Sequence, residues 1–456
     1  MKKIILPGIA MLCCTISFAQ FNFAIATSNW CSMNSLSLNP ANIAGSKERY
    51  SINLFSLNTG VDNNVGAFNA KNGLVVAVGN GKTNNMFTYS NNSRVSMLAP
   101  YAAFSGPGVT YRIDKHNSIA FTTGIRGMNQ FNNFDQTIFH TFNDPKFRTT
   151  EAIDAAPRNF NYMLHVWAEI GVSYAATLID NGRHKLKAGA TLRYLGGMAY
   201  VGLKGRNMDA HFNAGKDTFS VTNADLEYAS NILSSKAGSG TNVPTAITNL
   251  IFNGNGGNGI GGDLGVVYEY TPKNEKKNGY LVRFSASLMD IGSITYKGEN
   301  NANEIFSGSG YVTGKGILDN VKNFAQIKNY AVVRGFTADI RKTTTTVYMP
   351  ERLMLGGDYH VDKQYYVNVT YLGNLGTRQG FGNSYYNQFT VTPRYDTKLI
   401  TIGLPLTYST LSNSFKVGVG IRASGVYVGF DDMLSLFSHS QYGLNFYAGI
   451  NIPIYN

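Results

Sequence analysis

Disulfides are the first thing this sequence lacks. Its 456 residues hold three cysteines, and two of them, Cys13 and Cys14, lie in an apolar amino-terminal run with the grammar of a removable export signal. Cys31 is then alone, so no internal disulfide forms and small disulfide-stapled scaffolds are excluded. Beyond that signal there is no stretch of about 18 apolar residues, so no transmembrane helix is expected. Charge is scarce at 14% of residues, a poor balance for a soluble enzyme of this size. The formal charge of +12 becomes 12 − 2 = +10 without Lys2 and Lys3. Lys and Arg are scattered singly, without the basic run of a nucleic-acid surface, so no nucleic-acid partner is expected.

Catalytic patterns are missing as well. The seven histidines include no His-x-x-x-His pair, and no carboxylate cluster suggests a metal. His360 stands two residues from Asp358 with no evident nucleophilic serine. The spacing Gly254-Asn-Gly-Gly-Asn-Gly259 leads into a strand, not a helix, so it is no dinucleotide loop. The overlapping Gly256–Asp263 stretch is a single copy of a calcium-type repeat and cannot stack. The expectation is a protein that is not an enzyme, with no catalytic, cofactor-binding or metal residue and no cofactor.

What is present is alternation. Tyr442, Leu444, Phe446, Ala448, Ile450, Ile452 and Ile454 form one apolar row, with Gly443, Asn445, Tyr447, Gly449 and Asn451 between them. Period two puts the rows on opposite faces of a strand. The same pattern runs through 166–178, turns at Asp180-Asn-Gly-Arg183, and returns through 186–194. Hairpins of this kind recur at 108–129, 260–296 and 351–372. Aromatics reach 12%, with 28 Tyr and 27 Phe, and glycines number 49. That suits a barrel with aromatic girdles and close lumen packing.

In water such sheets would leave edges to protect, whereas a closed barrel in lipid has none and satisfies every backbone group. The fold class is therefore an all-β transmembrane antiparallel barrel of about 14 strands, within roughly 12 to 16. Whether 425–430 is its own strand sets the parity. Long loops are expected at one end and tight turns at the other, with short helices at 225–235 and 317–325.

The amino terminus reads Met1-Lys2-Lys3, an apolar run to Ile16, then Ser17-Phe18-Ala19. Cleavage is expected between Ala19 and Gln20. The organisation is then 1–19 signal peptide, 20–48 hatch segment and 49–456 barrel. Five charges fall on inward strand rows: Glu169, Arg193, Glu269, Arg283 and Arg422. They either line a polar ligand path or pair with one another to fill the barrel. Cys31, beside Trp30, reads as a packed thiol or as a redox or attachment site.

Taken in order, Ser37-Leu-Asn-Pro-Ala41, 259–268, Val391-Thr-Pro-Arg-Tyr395, Ile421-Arg422, 428–434 and 446–453 resemble FadL-type outer-membrane barrels of Bacteroidota, most nearly an uncharacterised family of that group. They are also similar, distantly, to PorV of the type IX secretion system. The resemblance implies an inward amino-terminal hatch, with Asn39, Pro40 and Ala41 at the start of the plug, and location in a Gram-negative outer membrane in contact with its lipid. Function follows only by analogy of fold. One expectation is binding or passage of a small hydrophobic molecule. The others are a docking barrel for secreted cargo or envelope machinery, and a structural barrel without a transport role.

Overall fold

The computed structural model describes residues 21–68, 87–90, 92, 94–136, 152–155, 159–206, 208–213, 218–231, 256–273, 279–297, 302–313, 325–340, 344–376, 380–434 and 442–455. The expected export signal, with the expected cleavage between Ala19 and Gln20, lies outside the described residues.

Period-two alternation becomes a closed ring of 14 antiparallel strands. In chain order these are β1 Tyr50–Asn63, β2 Arg94–Ser105 continuing as Gly108–Arg112, β3 Asn117–Asp135, β4 Phe160–Asp180 and β5 His184–Gly205. There follow β6 Gly257–Tyr270, β7 Val282–Lys297, β8 Arg352–Asp362, β9 Tyr365–Asn374 and β10 Gln388–Asp396. The ring ends with β11 (Ile400–Gly403 and Leu406–Ser409), β12 (Ser414–Val417 and Val419–Ala423), β13 Val426–Phe430 and β14 Gly443–Ile454. β14 pairs with β1 from Tyr50↔Ile454 to Asp62↔Gly443 and closes the ring. β13 is a strand in its own right, which resolves the parity at 425–430.

All but one of the short connections fall at one end, which we call the turn end: 113–116, 181–183, 271–281, 363–364, 397–399 and 424–425. The other, loop end carries the long connections, with 410–413 as its one short link. β4 and β5 are 21 and 22 residues long, and β5 runs on to Gly205 past its last pairing with β6, Gly257↔Gly197. There, β5 pairs with a further strand, Thr218–Ser230, which pairs in turn with Ala302–Thr313. Residues 225–230 are thus strand, not the expected helix, because Tyr228 and Ala229 pack into this extension. Helix α3 spans Ala325–Val333, so it starts where the expected 317–325 helix was to end; 317–324 lie outside the described residues.

The molecule is inside out relative to a soluble protein. Leu192, Ile260 and Phe415 are 67%, 69% and 72% exposed, while Asp290, Arg394 and Arg422 are 3% or less. Exposed apolar residues in continuous rows around a closed sheet require a hydrocarbon solvent, since water would penalise so large a patch. In lipid the same rows cost nothing, and ring closure pairs the ladder groups. Tyr359 and Tyr365 stay exposed near the turn end, where aromatic belts mark an interface. No helix among the described residues is long and apolar enough to cross a membrane; strands do the crossing.

Inside the ring lies the amino-terminal segment. It forms two single-turn helices, α1 Phe23–Ala26 and α2 Ser32–Ser35, and a 3-10 turn at Pro40–Ile43. Phe23, Ala24, Ile25, Ala41 and Ile43 are fully or almost fully buried. This segment is the hatch, and the barrel wall is cut to its shape.

Candidate functional site in the lumen

The hatch is seated by its Asn-Pro-Ala element. Asn39 caps the 3-10 turn, its Oδ1 accepting from Ala41 N at 2.8 Å, while Pro40 supplies the fixed φ that such a start favours. Asn39 Nδ2 donates to the carbonyls of Val266 and Ala286, each at 3.0 Å. Those residues face each other across the β6–β7 ladder, so one side chain grips two wall strands. The wall leaves room only because two inward positions are glycine. A Cβ on Gly189 would meet Pro40 and Ala41 backbone at 2.6 Å, and one on Gly265 would strike Asn39 Oδ1. Two separate stretches of the sequence, 37–41 and 259–268, are therefore lock and seat.

Other bonds fasten the hatch around its rim. Asp396 accepts from Ser28 Oγ at 2.7 Å and Asn29 N at 2.8 Å. Arg352 Nη2 donates to Ser37 O at 3.2 Å, and Ser287 Oγ to Leu38 O at 2.6 Å. At the loop end Asp431 Oδ2 accepts from Phe23 N at 3.4 Å. Burial pushes the carboxyls of Asp431 and Asp432 up, Asp432 to about 7, with Lys416 opposing the shift and Asp62 reinforcing it. Cys31 sits fully enclosed, and burial raises its thiol to about 12. It is packed thiol, with Asn34 Oδ1 at 3.1 Å.

Four of the five inward charges read from sequence enter ion pairs. Glu169 Oε2 meets Arg126 Nε at 3.1 Å. Arg193 binds Asp263 with a 2.7 Å Nη1–Oδ1 bond and lies 3.7 Å from Asp290. Glu269 Oε1 takes both Lys187 Nζ and Arg283 Nε at 2.9 Å. Arg422 differs. Its guanidinium donates to Thr401 Oγ1 at 2.8 Å and to the carbonyls of Thr397, Lys398 and Ser424 at 2.7, 3.3 and 3.0 Å. It tethers two turns and faces no carboxylate within 4 Å among the described residues, so the expectation of ion pairing fails there.

Sequence reading missed the hub. Asp290, 3% exposed, meets Arg126 and Arg352 and lies near Arg193. Three guanidiniums thus face three carboxylates, Glu169, Asp263 and Asp290, and the cluster is balanced. Asp290 stands at φ +56° just past a register shift between β6 and β7, and its N–H donates to Asp263 Oδ1 at 2.8 Å. That bulge breaks strict alternation, which is why counting rows did not find it. Asp263, inside the quoted 259–268 stretch, was legible but not singled out.

Above the cluster, toward the loop end, the lumen holds an apolar core, with Asn129, Gln130, His165 and Asn383 buried beside it. Met128, Met163, Met289 and Met349 pack with Trp167, Leu195, Tyr200, Tyr296 and Phe381, and Met354 joins them on the turn-end side. The same cluster takes in Phe21, Phe23 and Leu38 of the hatch. A cavity of about 170 Å³ lies between it and the ion cluster, lined by Met33, Leu36, Met128, Trp167 and Met289 on one part and by Arg126, Glu169, Arg193 and Arg352 on another. Among the described residues no group of three or more metal-binding side chains comes together.

A plugged, strand-spanning barrel with an apolar upper lumen is the class these features define. The chain belongs to a family of unknown function (DUF5723), whose model matches residues 40–431. It is similar in structure to the Ralstonia pickettii toluene transporter TbuX at 15% identity, covering 96% of this chain and 98% of that one, TM-score 0.40. It is also similar to the P. putida toluene transporter TodX, at 9% identity over 96% and 99% of the two chains, TM-score 0.42. A Pseudomonas aeruginosa FadL homologue matches at 9% identity over 96% of both chains, TM-score 0.39. No curated protein sequence matches this chain.

Proposed function

We propose that this protein is an outer-membrane barrel that binds a small hydrophobic molecule at its loop end and passes it across the membrane past a displaced hatch. It is a conduit, not an enzyme. The carrying observation is the methionine and aromatic column that runs through the upper lumen to Phe21, Phe23 and Leu38 of the hatch. A barrel for ions or sugars is lined by polar rows to its axis, whereas the upper lumen here carries a core of deformable apolar side chains. Unbranched methionines can rearrange around a guest of irregular shape at small cost. The balanced ion cluster below holds the wall round while the hatch moves. Its location follows from the same physics, since barrels with short turns at one end and long loops at the other are the outer-membrane pattern, with the turns toward the periplasm.

The test is uptake of the fluorescent hydrophobic probe N-phenyl-1-naphthylamine into liposomes carrying the full chain. Faster entry than in empty liposomes is expected. Met128→Gln together with Met163→Gln should slow it at least tenfold while the barrel stays folded. Entry equal to that of empty liposomes would end the transport reading.

A docking role is favoured by a separate observation. On α3 at the loop end, Val333 is 82% exposed and Val332 47%, next to Tyr311 at 45%. Such a patch suits a partner such as secreted cargo or an envelope protein. Recovery of a stoichiometric partner that is lost in Val332→Ser/Val333→Ser would promote it.

A further inference from the structure

At the turn end, between the hatch and the strand ends, lies a partly enclosed cavity of about 470 Å³. Its charge is one-sided. Among the described residues Lys47, Lys115, Lys185, Lys187 and Arg283 line it, against the carboxylates of Asp180 and Glu269, with Asp396 behind the wall on Ser28 and Asn29. Asp180 is taken by Lys185 at 3.1 Å. Glu269 has to serve both Lys187 and Arg283 through a single oxygen, each at 2.9 Å. Arg283 engages only its Nε there and stacks over the Tyr280 ring, 4.0 Å from the centroid, so its two Nη groups are left to other acceptors.

Lys47, like Lys115, enters no ion pair among the described residues. It is half-buried on the hatch, its ammonium 4.0 Å from the centroid of the Trp30 ring. No carboxylate stands within 4 Å of it among the described residues. Burial lowers it to about 8, with Asp396 and Glu269 opposing the shift and Arg283 adding to it. Asn29 Nδ2, on the same wall, is buried with no acceptor. A partly enclosed space rimmed by surplus donors and positive charge lacks an acceptor, and buried donors and charges are costly until one arrives.

We infer that this vestibule is a binding site for one oxyanion group, a carboxylate or a phosphate, held between Lys47 on the hatch and Lys187 and Arg283 on the wall. The ammonium and the planar guanidinium would contact the anion oxygens directly, with charge-assisted bonds of the strong kind. Ser32, Ser35, Asn42 and Asn368 supply further polar wall around it. Because Lys47 belongs to the hatch and the other two to β5 and β7, the bound anion fastens hatch to barrel. The inference does not rest on hydrophobic transport; a barrel that passed nothing would still hold this anion.

The anion is either free in solution or the head group of an amphiphile, and two probes separate these. The chain contains two tryptophans, so Trp167→Phe leaves Trp30 as the sole reporter beside Lys47. Titration with inorganic phosphate, in parallel with decyl phosphate below its micellar range, should change Trp30 emission saturably. Lys47→Gln and Lys187→Gln should each weaken the response at least tenfold, and Lys363→Gln, on a turn outside the cavity, should not. Equal affinity for the two probes identifies a free oxyanion as the ligand, and tenfold tighter decyl phosphate identifies a head group. Absence of saturation by either probe in the millimolar range overturns the inference. So does saturation that Lys47→Gln and Lys187→Gln leave intact, which would mark nonspecific attraction to a basic surface. Isothermal calorimetry on the same full-length variants serves where Trp30 emission fails to respond.

Discussion

Two clusters of charge sit a few residues apart in this lumen and behave as opposites. Around Asp290, Arg126, Arg193 and Arg352 meet Glu169, Asp263 and Asp290, three charges against three. Around Glu269, five cations share a large cavity with two carboxylates. The first set is complete and spans strands β3 to β8, so it fills and braces. Both border open volume, since Arg126, Glu169, Arg193 and Arg352 line the 170 Å³ cavity, but the second is unfinished, so it is built for something to arrive. Ion pairs inside a barrel are not in themselves a ligand path; imbalance beside a cavity is what distinguishes one.

The comparison breaks most severely at its balanced half. Asp290→Ala removes the carboxylate shared by Arg126 and Arg352 and leaves buried guanidiniums unpaired, a loss of about 3–5 kcal/mol. It would be measured as the unfolding temperature of the barrel in detergent, and no change there would mean that the cluster braces nothing. Next in size, Gly189→Val drives a side chain into the Pro40–Ala41 backbone, at about 1–3 kcal/mol for such overpacking. The hatch should then become open to protease within residues 21–48 while the barrel stays resistant.

A smaller effect comes from Asp432 at the loop end. Its folded value, pushed up to about 7 by burial, stands above the ordinary carboxylate value near 4 that it takes when unfolded. The folded state therefore binds the proton more tightly between those values. Stability should rise as pH falls from 8 toward 5, and that gain is lost as pH climbs through 7. Asp432→Asn should flatten the dependence of the unfolding temperature on pH. The smallest effect is the most telling for the comparison. Lys47→Gln should alter stability by no more than about 0.5 kcal/mol, because its ammonium has no carboxylate to lose. A large loss would put Lys47 on the bracing side.

Alternation carried most of the fold. The rows read at 166–178 and 186–194 are the outward faces of β4 and β5, with Val172, Leu192 and Tyr194 more than half exposed. The closing strand pairs with β1 as its length demands. Parity depended on β13, which is five residues long, too short for periodicity to separate from β12. The loop-end extension was missed because 225–230 carries polar and apolar residues at spacings that fit helix or strand, and pairing with β5 decides between them. In the lumen, Glu169, Arg193, Glu269 and Arg283 follow directly from row counting. Asp290 escaped because a bulge shifts its row. Lys47 escaped because it lies on the hatch, whose path no strand period describes.

The central claim is that a hydrophobic guest travels the apolar column and leaves by moving the hatch. Cys31, 2% exposed on that hatch and the sole cysteine besides Cys13 and Cys14 of the expected signal, reports the movement once those two are replaced by Ser. Maleimide labelling of the membrane-embedded protein should be absent at rest. It should rise saturably when N-phenyl-1-naphthylamine is added, in step with probe entry. A thiol that stays blocked while the probe crosses at full rate would contradict the account, because the molecule would then be passing with the hatch in place.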